Sequence, residues 1–262
     1  VLDMAKELIH EEDLGKDEDT DFLGVSFSSP DYAGHTWGVR SREVHDMYLK
    51  LDAQLGELIK TLDRKVGRQN YILYLTADHG ASENPNHLRN FGYEVQNYQN
   101  ADVLTQLNDQ IEERLGIQSA VGKIINHHIF LNDWAKESVL PITLIVEGID
   151  PFAHAYSAEQ IRIGSDDELI KMLNQGHQSR FSGDIVFTLQ PNCIFYGPYG
   201  STHGSGYTYD THVQLLFYGN GIQKGTSYEP TNVTDIAPTI SALLGISFPS
   251  GATGTVIEKV IY

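Results

Sequence analysis

The chain has 262 residues, 40% of them hydrophobic and 20% charged, with a formal net charge of −17 at pH 7. That length and composition suit a globular protein with a sizeable core. So acidic a chain argues against nucleic acid as a bulk partner, which calls for a basic face, and no apolar run approaches the roughly 20 residues of a membrane span.

In chain order, residues 2–13 read as a helix end, with Leu2, Ala5, Leu8 and Ile9 at helical spacing. An acidic linker follows. Residues 22–28 are almost continuously apolar and predict a buried strand. Residues 41–65 predict an amphipathic helix, with Val44, Met47, Leu51, Leu55, Leu58 and Leu62 along one stripe and Ser41 as its cap. A second buried strand is predicted over 71–76. Strand, helix, strand in that order suggests a right-handed crossover in a parallel sheet. Residues 84–183 are less regular and read as an insertion or cap, with a helix over 101–115, a strand over 124–131 and a helix over 157–173. Strands over 184–189 and 213–218 and a helix over 234–244 complete an α/β pattern.

Two polar clusters follow predicted strands, and ligands bind at the carboxyl ends of strands in parallel α/β sheets. Asp31 and His35 lie in SSPDYAGHTWG, and Asp78 and His79 lie in TADHG. A third cluster, STHGSGYTYD, carries His203 in a loop between later strands. Two carboxylates and three imidazoles suit a borderline cation such as Zn²⁺. Each cluster taken alone is read more simply as a polar turn; three in one chain favour a site. His45, His127 and His128 are expected in surface or structural roles. The single cysteine, Cys193, can form no internal disulfide.

Four blocks, SFSSPDYAGHTWG, YLTADHGA, STHGSGYTYDTHVQLLFYG and VTDIAPTISALLGISFPSG, together resemble the alkaline phosphatase superfamily. They resemble most its bacterial phosphate-irrepressible branch with a threonine nucleophile, to which the type I phosphodiesterase/nucleotide pyrophosphatase branch is related. The resemblance implies a three-layer α/β sandwich with a central, mostly parallel sheet, residues 1–262 forming the C-terminal portion of the catalytic domain. It implies two zinc ions, the first held by Asp31, His35 and His203 and the second by Asp78 and His79. It implies a phosphate ester substrate, attack by a Thr or Ser to give a phospho-enzyme, and hydrolysis of that intermediate by zinc-bound hydroxide. It also implies a periplasmic or secreted location.

The family's nucleophile, one further Asp ligand and the groups that grip the phosphoryl oxygens precede the Asp-x-x-x-His block. Thr20, in the acidic linker, is a poor nucleophile. The expectation is therefore a C-terminal fragment with no catalytic nucleophile of its own, inactive alone, with its first metal site intact and its second incomplete. Relatives often have Pro where this chain has Gln214. The alternatives are a phosphodiesterase or nucleotide pyrophosphatase with the same metal core, and a non-catalytic metal-binding domain. A sulfatase fits less well, because calcium favours oxygen ligands over a His-rich set.

Overall fold

The computed structural model describes residues 1–261. In chain order it holds α1 (Leu2–Glu11), α2 (Ser29–Trp37), α3 (Arg42–Leu62, extended by a π-helical turn at Asp63–Gly67), β1 (Ile72–Thr76), α4 (Pro85–Arg89) and α5 (Asn100–Leu115). Then come β2 (Val121–Ile125), β3 (His128–Leu131), α6 (Val139–Glu147), β4 (Phe152–Ser157), α7 (Ala158–Ile163), α8 (Glu168–Gly176) and β5 (Ile185–Leu189). The chain closes with α9 (Thr208–Thr211), β6 (Leu215–Gly219), α10 (Ile236–Leu244) and α11 (Glu258–Ile261). It divides into two compact units, one of residues 1–30, 46–78 and 213 onward, the other of residues 31–45 and 79–212.

The first unit is built on a two-stranded antiparallel ribbon, β1 against β6, in register from Ile72↔Gly219 to Thr76↔Leu215. Its apolar cluster centres on Leu2, Ile9 and Leu58, with Leu14, Leu23, Phe27, Leu62 and Val66 packed around them. The start of α10 is fixed by Asp235, a buried carboxylate that accepts the backbone N–H of Asn232 and of Thr255, each at 2.8 Å. Burying that charge is tolerable because both oxygens are hydrogen-bonded.

The second unit holds a four-stranded antiparallel sheet in the order β2-β3-β5-β4. Strand β5, IVFTL, is buried along its whole length, as a continuous apolar run in mid-sheet should be. Helix α5 places Val103, Leu107 and Ile111 four residues apart on one face, and all three are buried against the sheet. It ends at Gly116, whose φ of +69° is the left-handed conformation of a helix stop and whose N–H returns to the carbonyl of Glu112 at 2.9 Å. Ser157 and Gln160 form a reciprocal capping box at the start of α7. Cys193 is buried in the same core.

Several expectations need correction. Residues 22–28 carry no strand; their side chains alternate between half-buried and exposed. Leu23 and Phe27 find the cluster around Leu58, but no neighbouring strand among the described residues pairs with this backbone. The expected parallel crossover is accordingly not formed, and the strand partner of β1 is β6, antiparallel. The predicted strand 124–131 is a hairpin, turned at Asn126 in the left-handed region (φ 52°). The predicted helix 157–173 is broken into α7 and α8 at Gly164, where φ is +80°. Helices α2 and α6 and strand β4 were not expected.

Candidate metal centre

Asp31 and His35 sit on α2. Pro30 is tolerated in its first turn, and Gly38, at φ +85°, ends it with its N–H on the carbonyl of Gly34 at 2.9 Å. The i, i+4 spacing stacks the two side chains on one helix face, and Asp31 Oδ1 lies 3.4 Å from His35 Nε2. The other nitrogen of His35, Nδ1, donates to the backbone carbonyl of Ser201 at 2.9 Å. A carbonyl can only accept, so Nδ1 carries a proton there, and Nε2 is the nitrogen that faces Asp31.

His79 follows β1 at the start of an extended loop. Its Nδ1 donates to the carbonyl of Gly80 at 2.8 Å, which orients the ring at the start of that loop. His203 lies in the loop before α9. Its ring stacks on that of His79 with centroids 3.4 Å apart and planes 12° apart. Its Nε2 is 3.7 Å from Asp31 Oδ1. Burial, reinforced by the neighbouring His79, pushes the His203 imidazole below its ordinary pKa against the pull of Asp31. A neutral imidazole with an available lone pair is the metal-binding form.

Asp31, His79 and His203 thus each offer one ligand atom, and these atoms all lie within 4.8 Å of one another. Expectation had separated His79 from the other two; the structure places it with them. His35 stands beside the group, its ring centroid 5.1 Å from that of His203. Asp78 ends the 46–78 segment of the first unit. The donor set fits a divalent cation of borderline character, with two imidazoles and one carboxylate converging and two of the neighbouring rings held by backbone carbonyls through their other nitrogen.

The loops that carry these residues are tied by backbone hydrogen bonds. The N–H groups of Gly80, Ala81 and Ser82 donate to the carbonyls of Asp210, Tyr209 and Thr202 at 2.6, 3.1 and 2.8 Å. Gly80 is required there, because a Cβ would lie 2.1 Å from the carbonyl oxygen of Tyr209. The ring of His127, at the tip of the β2–β3 hairpin, lies against Gly204, where a Cβ would stand 3.7 Å from its Cε1. Sequence reasoning did not single out Ser201 or Asp210. Ser201 acts through its backbone, which leaves no mark on residue type.

Comparison with known proteins agrees with this geometry. The family model for type I phosphodiesterase / nucleotide pyrophosphatase matches residues 2–212, and the chain belongs to that family. Over its whole length it is 34% identical to a protein of Myroides odoratus named as a calcium-transporting ATPase and 34% identical to alkaline phosphatase PafA of Elizabethkingia meningoseptica, covering 50% of each. The crystal structure of wild-type alkaline phosphatase PafA superposes with a TM-score of 0.88 at 33% identity, over 100% of this chain and 52% of that one. The chain spans about half the length of the relatives it matches.

Proposed function

We propose that the chain supplies the metal-binding part of a zinc-dependent phosphomonoester hydrolase of the alkaline phosphatase type. The observation that carries this reading is the convergence of Asp31, His79 and His203 within a chain 34% identical to an alkaline phosphatase. In this proposal Asp31, His35 and His203 hold one zinc ion, and Asp78 and His79 contribute to a second. When bound, zinc supplies Lewis-acid neutralisation of charge on the phosphoryl and leaving-group oxygens. The protein's own part is orientation. The carbonyls of Ser201 and Gly80 hold the rings of His35 and His79 through Nδ1, so that both rings are oriented before a cation arrives. The attacking Thr or Ser, which would carry the phosphoryl group as a phospho-enzyme, is assigned to the part of the protein outside these 262 residues. An exported location belongs to the same proposal, and no helix among the described residues is long and apolar enough to cross a membrane.

A second reading, phosphodiester or nucleotide pyrophosphate hydrolysis, is favoured by the family model that matches residues 2–212. The two share a metal core and differ in the groups that receive the second ester.

Zinc counted per chain after dialysis tests the metal centre. About one tightly held ion per chain is expected, lost on Asp31→Ala or His203→Ala. Retention of the metal by both variants would refute the assignment. Turnover of a phosphate monoester and a diester by the protein that contains the nucleophile separates the two reactions, and the 262-residue chain alone is expected to turn over neither.

A further inference from the structure

One buried carboxylate beside the metal centre is given no role by the proposed chemistry. Asp210, on α9, is 4% exposed. Its Oδ2 accepts two hydrogen bonds from Ser205, from the backbone N–H at 2.7 Å and from the hydroxyl at 2.5 Å. Ser205 is two residues beyond His203, across Gly204 in a left-handed conformation (φ +110°). The backbone carbonyl of the same Asp210 accepts the N–H of Gly80, one residue beyond His79, at 2.6 Å. A single residue therefore grips the loop that carries His203 with its side chain and the loop that carries His79 with its main chain.

Ordinary helix capping does not account for this arrangement. Oδ1, the second carboxylate oxygen, is buried and has no hydrogen-bond partner among the described residues. A buried carboxylate with one idle oxygen is costly, so a residue needed only to accept from Ser205 could be neutral. The carboxylate instead sits where the loops that carry His203 and His79 are tied together, and carboxylates in this outer position orient metal-binding histidines.

We propose that Asp210 is a positioning residue, which locks the His203 loop onto the His79 loop and keeps both imidazoles grouped beside Asp31. The proposal rests on the metal-centre reading above. It requires both the acceptor oxygen and the charge. Asn in its place keeps an acceptor for Ser205 and loses the charge; Ala loses both.

The test is a zinc titration of the 262-residue chain and its variants, with the visible absorption of the Co²⁺ form as a second readout of ligand geometry. Asp210→Ala is expected to weaken zinc binding by about 10–100-fold and to broaden the Co²⁺ bands. Asp210→Asn is expected to recover part of that loss. Because Asp210→Ala also removes buried hydrogen bonds, Ile142→Ala, a core variant of α6 far from the site in sequence, serves as a control for lowered thermal stability. Zinc affinity within threefold of the parent for Asp210→Ala would overturn the proposal. So would an equal loss of affinity in Ile142→Ala at a matched fall in melting temperature. A parent chain that binds no zinc would instead overturn the metal-centre reading itself, so the two failures are told apart by the parent alone.

Discussion

The two units organise their strands in opposite ways. In the second, β5 is buried at all five positions between β3 and β4, and Phe187 at its centre meets Phe152, Phe195 and His127 at centroid distances of 4.8, 5.9 and 5.5 Å. In the first, β1 and β6 have only each other among the described residues, and no residue of either strand is fully buried. Both sets of strands are rich in Leu, Ile, Phe and Tyr. The difference lies in the number of partners, because a two-stranded ribbon is marginal in water while three or more strands under helices bury both faces. Apolar composition sets what a strand can bury; topology sets what it does bury. It is the better-packed unit that carries Asp31, His35, His79 and His203.

The largest expected effect sharpens this contrast. Phe187→Ala should lower unfolding stability by about 3–5 kcal/mol, since it opens a cavity in the aromatic cluster and loses edge-to-face contacts. Chemical denaturation reads it directly, and a loss below about 1 kcal/mol would mean the cluster can collapse around the gap. Leu58→Ala, in the smaller cluster, should cost about 2 kcal/mol, the low end for a buried leucine, because its partly exposed neighbours Leu23 and Phe27 have room to close in. A larger loss there than at Phe187 would break the ranking of the two cores.

The smallest effect is a pH dependence confined to the second unit. Burial pushes both His127 and His128 below the ordinary histidine pKa, in His128 with help from His177. Their unfolded forms take up protons first, near pH 6.5. The stability they contribute is complete above that value and is lost as pH falls through their lower folded values. The melting temperature should drop between pH 7.5 and 5.5, and His128→Gln should flatten that slope. Gln can still accept the Gly183 N–H that His128 Nδ1 now receives at 3.2 Å. An unchanged slope in the variant would show that His128 does not drive the loss.

Elements whose periodicity agrees with their surroundings were legible in the sequence: α3, α5 and α10, and strands β1, β5 and β6. Residues 22–28 failed for a physical reason. An apolar run reports the capacity to be buried, and a strand also needs a neighbour for its backbone. Helix α2 was obscured by Pro30, Gly34 and Gly38, which read as a turn; here Pro sits in the first turn and Gly38 at the stop, where each is compatible with a helix. Asp31 and His35 were expected to converge, and they do, through the i, i+4 geometry of that unforeseen helix. The grouping of His79 with Asp31 and His203 could not be read from spacing, because it depends on hydrogen bonds between loops more than a hundred residues apart.

Those bonds have a kinetic consequence. Ser82 donates through both its N–H and its hydroxyl to the carbonyl of Thr202, across a sequence separation of 120. Closing so long a loop in an unstructured chain costs entropy before any contact rewards it. The intervening residues, however, fold into the β2-β3-β5-β4 sheet, whose β2–β3 hairpin is local, and a formed sheet shortens the distance that the two loop ends must search. The sheet should therefore assemble first and the Asp31, His79 and His203 cluster last, so that the zinc proposed to bind there slows unfolding while leaving the early folding rate unchanged.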